Sequence, residues 1–285
     1  MAMPGSAARP PTIRDIERLS ELECMVRLEK EVWGLADADV TPLTLAIALR
    51  AAGAVSLGAF DRGELVGFAL AFPSLEQGRP GLHSHMLAVR SDWREHGLGY
   101  RLKLAQRERA LALGVREMTW TFDPLRSRNA HLNFSKLGVI SDTYKADFYG
   151  NQSSSPLFRN STDRLWVRWH MADLRVEARL HGGEARAQVL DSLRLLEPLV
   201  RFNGDGRPVL ADVPRALGRQ RVAIEIPGDI ERIESNDTGR AREWRLLTRQ
   251  AFTEALGAGF VVKEFCRSIR GQQGPGAYLL ERREA

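Results

Sequence analysis

Cysteine is nearly absent: the 285 residues hold two, Cys24 and Cys266, far apart and without the close Cys or His spacing of a zinc site. Neither a disulfide framework nor a bound metal is expected, and both thiols read as small buried apolar groups. No apolar run approaches the roughly 20 residues that a membrane-spanning helix needs. The opening residues, MAMPGSAARPP, lack an apolar core, so neither a signal peptide nor an anchor is expected, and the chain reads as cytoplasmic with no membrane partner. Lysine is scarce too, five of 41 basic residues, which leaves an arginine-rich chain of net charge +5. Those arginines are scattered among 36 acidic residues without a basic stripe or an aromatic platform, so no nucleic-acid partner is expected. What is plentiful is apolar sequence, at 44%, enough for one large or two modest folded units.

The densest local signal is LHSHMLAVRSDWREHGLG, residues 82–99, in which an apolar strand passes through a short arm into Arg94-Glu95-His96-Gly97-Leu98-Gly99 and then a helix. Backbone N–H groups at a helix N-terminus carry the positive end of the helix dipole and bind anions, and glycine lets a ligand approach without a side chain in the way. Leu98, Leu102, Ala105 and Ala112 mark one face of the helix, and Gly114 marks its stop. A Rossmann fingerprint would need a third glycine that is missing.

Around this core the pattern predicts a strand at Thr12 to Ile16, helices at Leu19 to Val32 and Pro42 to Ala51, and a hairpin of Val55 to Phe60 with Leu65 to Phe72 about Asp61-Arg62-Gly63. Downstream, Glu117 to Phe122 alternates as a strand, Asn129-Ala130 opens a helix closing at Leu137-Gly138, and strands follow at Ile140 to Phe148 and Arg164 to His170. Residues 150–163 form a polar loop of the kind that often covers a substrate site. Beyond residue 172 the pattern gives a helix at Ala185 to Leu196, a strand at Arg221 to Ile226, a helix at Ala241 to Leu256, and strands at Phe260 to Ile269 and Ala277 to Glu281. This tail reads as a smaller α+β unit without a chemical motif, serving as support or as the surface of a homodimer.

The Arg-x-x-Gly-x-Gly of Arg94, Gly97 and Gly99, after a strand ending in a small apolar run, resembles the coenzyme A loop of the GCN5-related N-acetyltransferase (GNAT) superfamily. The resemblance covers residues 11–172, implying a GNAT acyltransferase domain followed by a C-terminal α+β extension over residues 173–285. The fold class implied is α/β, with a mixed central sheet flanked by helices. The blocks HMLAV, GYRLKLAQRERAL, WTFDPLRSRNAHLNFSKLG, DFYG and TDRLWVRW resemble a bacterial subfamily of N-acyl and N-succinyltransferases linked with N-succinylamino acid racemases. The implied donor is acetyl-CoA or succinyl-CoA, and the implied partner is a small-molecule amine, an amino acid among the options.

Acyl transfer from a thioester to an amine needs a neutral amine, a polarised carbonyl and a proton for the departing thiolate. His83 and His85 lie two apart on the central strand and share a face, and the run resembles that of some of the superfamily's arylalkylamine acetyltransferases, which carry two histidines at this spacing. His85 is the expected base or relay, with His83 second; either is alternatively a hydrogen-bonded structural histidine. The Leu87 N–H is expected to polarise the carbonyl and the backbones of Ala88 and Val89 to bond the pantetheine arm. Arg94 through Tyr100, that is Arg94, Glu95, His96, Gly97, Leu98, Gly99 and Tyr100, would cradle the pyrophosphate. Asn129 would bind coenzyme A or cap its helix. The family's thiolate-protonating tyrosine is replaced by Phe134, four residues before Gly138, which leaves Tyr144 or Tyr149 as stand-ins or the thiolate leaving unaided. Arg159 and Arg164, flanking the polar loop, are candidates for an acceptor carboxylate. No nucleophilic cysteine or Gly-x-Ser-x-Gly elbow is suitably placed, so direct attack in a ternary complex is expected. The competing reading is an acyl-CoA-binding module that keeps the fold without the catalysis.

Overall fold

The computed structural model describes residues 10–150, 160–181, 185–269 and 275–283. The chain divides into two compact units, Met1–Val115 and Arg116–Ala285. The division expected near residue 172 therefore falls inside the second unit.

Unit 1 opens with β1 (Thr12–Asp15), α1 (Leu19–Trp33) and α2 (Leu43–Ala51), then continues with β2 (Val55–Asp61), β3 (Glu64–Glu76), β4 (Arg79–Val89) and α3 (Leu98–Ala112). Its strands pair in chain order, all antiparallel. The β2–β3 turn places Arg62 and Gly63 at positive φ, the backbone that a tight hairpin with right-handed strand twist requires. On one face Phe68, Leu70, Met86 and Ala88 meet Leu22, Met25 and Leu28 of α1 and Ala46 of α2. On the other, α3 brings the Leu98 and Leu102 side chains over Gly67, where a Cβ would already stand 3.0 Å from the Ala88 carbonyl. Cys24 is only half-buried, because its position on α1 leaves the thiol beside Arg27 at the rim.

Unit 2 runs β5 (Glu117–Phe122), α4 (Ser127–Ala130) continued as a π-helix over His131–Leu137, β6 (Ile140–Lys145), β7 (Arg164–His170), α5 (Leu174–Leu180) and α6 (Ala185–Leu195). It continues through β8 (Pro198–Phe202), β9 (Pro208–Leu210), α7 (Val213–Leu217), β10 (Arg221–Ile226), α8 (Ile230–Asn236), α9 (Thr238–Gly257), β11 (Phe260–Cys266) and β12 (Gly276–Arg282). The strand order is β5-β7-β6-β11-β12-β10-β8-β9, parallel only between β10 and β8. Val262 of β11 stands opposite Ser141 of β6, so the C-terminal strands extend the sheet that the earlier ones begin. The result is the mixed α/β architecture expected, a mostly antiparallel sheet with helices against it.

An aromatic cluster of Phe134, Phe252, Phe265 and Tyr278 fills this unit's core, Phe134 meeting Tyr278 edge-on at 5.7 Å. Beside it, Arg245 of α9 grips Asp123 with two hydrogen bonds of 2.8 Å, both side chains buried. Burial alone would raise the Asp123 carboxyl, but the charge and hydrogen bonds of Arg245 outweigh it and hold the group below its ordinary range. Removing one partner of such a pair strands a buried charge, so Asp123→Ala should lower the unfolding free energy by about 3–5 kcal/mol. Urea denaturation reads that loss directly. A double variant, Asp123→Leu with Arg245→Met, should recover most of it.

Candidate active site

The site is built first on β4. The β3–β4 register slips between Leu70–Met86 and Ala71–Ser84, leaving His85 as the extra residue of a β-bulge. The bulge reverses the facing of the strand: Ser84 turns toward α3, donating to Gln106 Oε1 at 2.8 Å, while Met86 joins the core under α1. His83 and His85 nevertheless stay together, their rings 5.5 and 5.7 Å from the ring of Phe72. The shared face expected from simple alternation is thus kept by a different route. Desolvation first, then His85 and the buried ammonium of Lys103, bring the His83 imidazole down to about 4. His85 is also lowered by desolvation, although its edge reaches solvent. Both rings are neutral at pH 7 and able to accept a proton.

Arg90 N–H donates to Val66 at 3.0 Å, and bonded and non-bonded pairs alternate in an antiparallel ladder, so the amides of Leu87 and Val89 turn away from β3. Arg94 Nε reaches the Val89 carbonyl at 3.2 Å, as that orientation allows. Ala88, opposite Phe68, belongs to the bonded set, so its backbone faces β3 and is not turned outward as the sequence reading supposed.

The loop then coils into α3. Arg94, Glu95, His96 and Gly97 are exposed, Glu95 and Gly97 take left-handed φ of 69° and 73°, and His96 lies edge-on to Trp93 at 6.5 Å. Gly97 is the N-cap residue, and no side chain caps the helix. The first turn, with Leu98 buried and Gly99 and Tyr100 half-buried, leaves N–H groups without an intrahelical acceptor, as any helix start does, at the positive end of the helix dipole.

The remaining candidates belong to unit 2. Asn129 is exposed in the third position of α4, and the N-cap is Arg126, so Asn129 does not cap the helix. The Tyr144 hydroxyl donates to Asp163 inside a network with Arg249, Asp147 and Ser161. Burial, reinforced by the Asp163 charge, pushes that phenol above its ordinary range, and its ring stacks on Phe252. Tyr149 is more open, its hydroxyl 3.3 Å from Thr121 Oγ1 and its ring under the Arg164 guanidinium at 5.2 Å. Arg164 is buried and donates to the Asp163 carbonyl at 2.7 Å, so it is not a solvated surface arginine. Arg159 lies outside the described residues. Sequence reasoning passed over Asp163, Arg245 and Arg249, which fix the ends of the polar loop: Arg245 Nε also donates to the Asn160 carbonyl at 2.9 Å.

With this geometry in place, comparison shows what part of the chain is similar to. Residues 17–138 match the acetyltransferase (GNAT) family. The GNAT span is somewhat under half of the chain, and it contains both histidines, the Arg94–Gly99 loop and α3. No curated protein matches the sequence significantly. Among solved structures the chain is similar to the ribosomal-protein-S18-alanine N-acetyltransferase from Escherichia coli, at 16% identity over 57% of this chain and 94% of that one, with a TM-score of 0.45. It is also similar to aminoglycoside 6'-acetyltransferase type Ii, at 18% identity over 57% and 98% with a TM-score of 0.45, and to Naa20 from Chaetomium thermophilum, at 18% over 61% and 94% with a TM-score of 0.47.

Proposed function

We propose that the chain is an acyl-CoA-dependent N-acyltransferase in which the uncapped N-terminus of α3, entered through Gly97, holds the pyrophosphate of the donor. That turn is the observation that carries the reading: its N-cap is a glycine, with no side chain of its own to occupy the N–H donors and the positive end of the helix dipole. The outward amides of Leu87 and Val89 suit the thioester carbonyl and the pantetheine arm. His85, neutral and in reach of solvent, takes the ammonium proton directly or through water, with His83 beside it. The free amine then attacks the thioester carbonyl, the C–N bond forms, the C–S bond breaks, coenzyme A leaves as a thiolate, and the second proton of the nitrogen passes to solvent or to that thiolate. No covalent acyl-enzyme is formed.

The acceptor is a small-molecule amine, with an amino acid as the preferred class, and the donor is succinyl-CoA ahead of acetyl-CoA. The motif blocks resembling the succinylating subfamily support this, and the extra carboxylates would each need a cationic or N–H partner. Following free thiol with both donors against D- and L-amino acids should give a kcat/KM at least ~10-fold higher for succinyl-CoA. Equal values, or acylation only of protein amines, would reject that donor and acceptor while leaving the acyl-CoA reading intact.

A second reading, an acyl-CoA-binding module without catalysis, draws on Phe134, buried in the aromatic cluster, and on Tyr144, committed to Asp163. Coenzyme A binding without thiol release from either donor would favour it.

A further inference from the structure

Unit 2 contains a cleft of about 760 Å³ that the acyl-transfer reading does not use. Four guanidinium groups line it from four separate segments: Arg128 of α4, Arg232 of α8, Arg240 of α9 and Arg267 just after β11. Its two carboxylates offset them only in part. Asp229 Oδ1 accepts the backbone N–H of Arg232 at 3.0 Å, and Asp237 Oδ1 that of Arg240 at 2.9 Å, so both act as helix caps. Asp237 additionally meets Arg240 Nε at 3.3 Å. The glutamates of α8, Glu231 and Glu234, are taken up by Arg126. Among the described residues neither the Arg232 nor the Arg267 guanidinium has an ion-pair partner.

Arg232 and Arg267 leave the cleft a surplus of positive charge. Its size exceeds what a single inorganic ion fills and falls within the range of small-molecule pockets. Phe202, braced against Trp244 with ring centres 4.4 Å apart, and Ile233 add apolar wall for an organic body. Guanidinium groups arriving from separate segments suit several anionic groups spread along one molecule, each able to accept paired N–H donors.

We propose that this cleft is a second small-molecule site, distinct from the α3 loop, that binds an organic polyanion of nucleotide size. Phosphate esters and polycarboxylates share the required chemistry, and ADP and citrate represent the two sources. Calorimetry on the full chain should show saturable binding of at least one of them, and Arg232→Gln with Arg267→Gln should weaken it ~10-fold or more. Arg242→Gln, an exposed position on α9 outside the cleft, should leave it unchanged. Binding of ADP alone identifies phosphate esters as the source, and binding of citrate alone identifies carboxylates. Coenzyme A affinity should be the same in the double variant and the unaltered chain. The proposal is overturned if neither probe binds at millimolar concentration, if the double variant binds both as well as the unaltered chain, or if coenzyme A affinity falls in step with ADP. Failure of the acyl-CoA reading would look different: coenzyme A would not bind at all, while the response to Arg232 and Arg267 persisted.

Discussion

Replacing Gly97 and Gly99 together with leucine should weaken coenzyme A binding at least ~100-fold, with the fold retained. The two glycines act for different reasons. Gly97 holds a φ of 73°, and its conformation aims the first turn of α3. Gly99 lies within the helix, and a Cβ there would meet only the Leu87 and Val89 side chains, at 3.8 and 3.9 Å. Such contacts are ordinary, so the protein itself does not demand glycine at position 99. If coenzyme A occupies the space beside it, Gly99→Leu alone should carry a large part of the loss. Calorimetry with coenzyme A, paired with a thermal melt, separates loss of binding from loss of folding; unchanged affinity in a folded double variant would remove the α3 site.

His85→Ala should lower kcat/KM by roughly 10²–10⁴-fold while acyl-CoA affinity stays near that of the unaltered enzyme. Desolvation places the His85 imidazole below the ordinary histidine range, and the base must be neutral to act. Activity is therefore held above that lowered pKa and lost as pH falls through it, so the acid limb should lie below about pH 6.5. In His85→Ala that limb should disappear or move to the still lower range of His83. Near-normal turnover in the variant would make His85 a packing partner of Phe72 and transfer the proton to a water chain.

Unit 1 was legible because its signals are local. Alternation, turn residues and the glycine pair placed β2, β3 and the start of α3 within a few residues of where they stand. The bulge was not legible, since nothing in HSHML shows which strand carries the extra residue; it exists because Met86 is drawn under α1 while Ser84 is held by Gln106 and Lys103 on the opposite face. Nor could spacing reveal that Ala88 faces β3, a matter of pairing phase. In unit 2, β5, β7 and β10 were read with their observed limits, whereas β8, β9 and α8 were missed, being too short for a hydrophobic period to show. Tyr144 was singled out as a free phenol because the acid that claims it, Asp163, is 19 residues away. One overlooked clue was present: Arg245 and Arg249 fall in line with Ala241, Trp244, Thr248 and Phe252 on the buried stripe of α9. Charges on an apolar stripe announce buried acids elsewhere, and those acids are Asp123 and Asp163.

The strand order of unit 2 bears on how such a chain could have arisen. A bead added to an existing enzyme would leave the older sheet whole, yet here β6 has β11 as its neighbour on one side and β7 on the other. Cutting the chain after residue 172 would bare the β6 edge, strand the Asp123 carboxylate and strip Phe134 of Tyr278. The residues after 172 are thus woven into unit 2 rather than appended to it, and the strands on either side of that point stand or fall as one sheet.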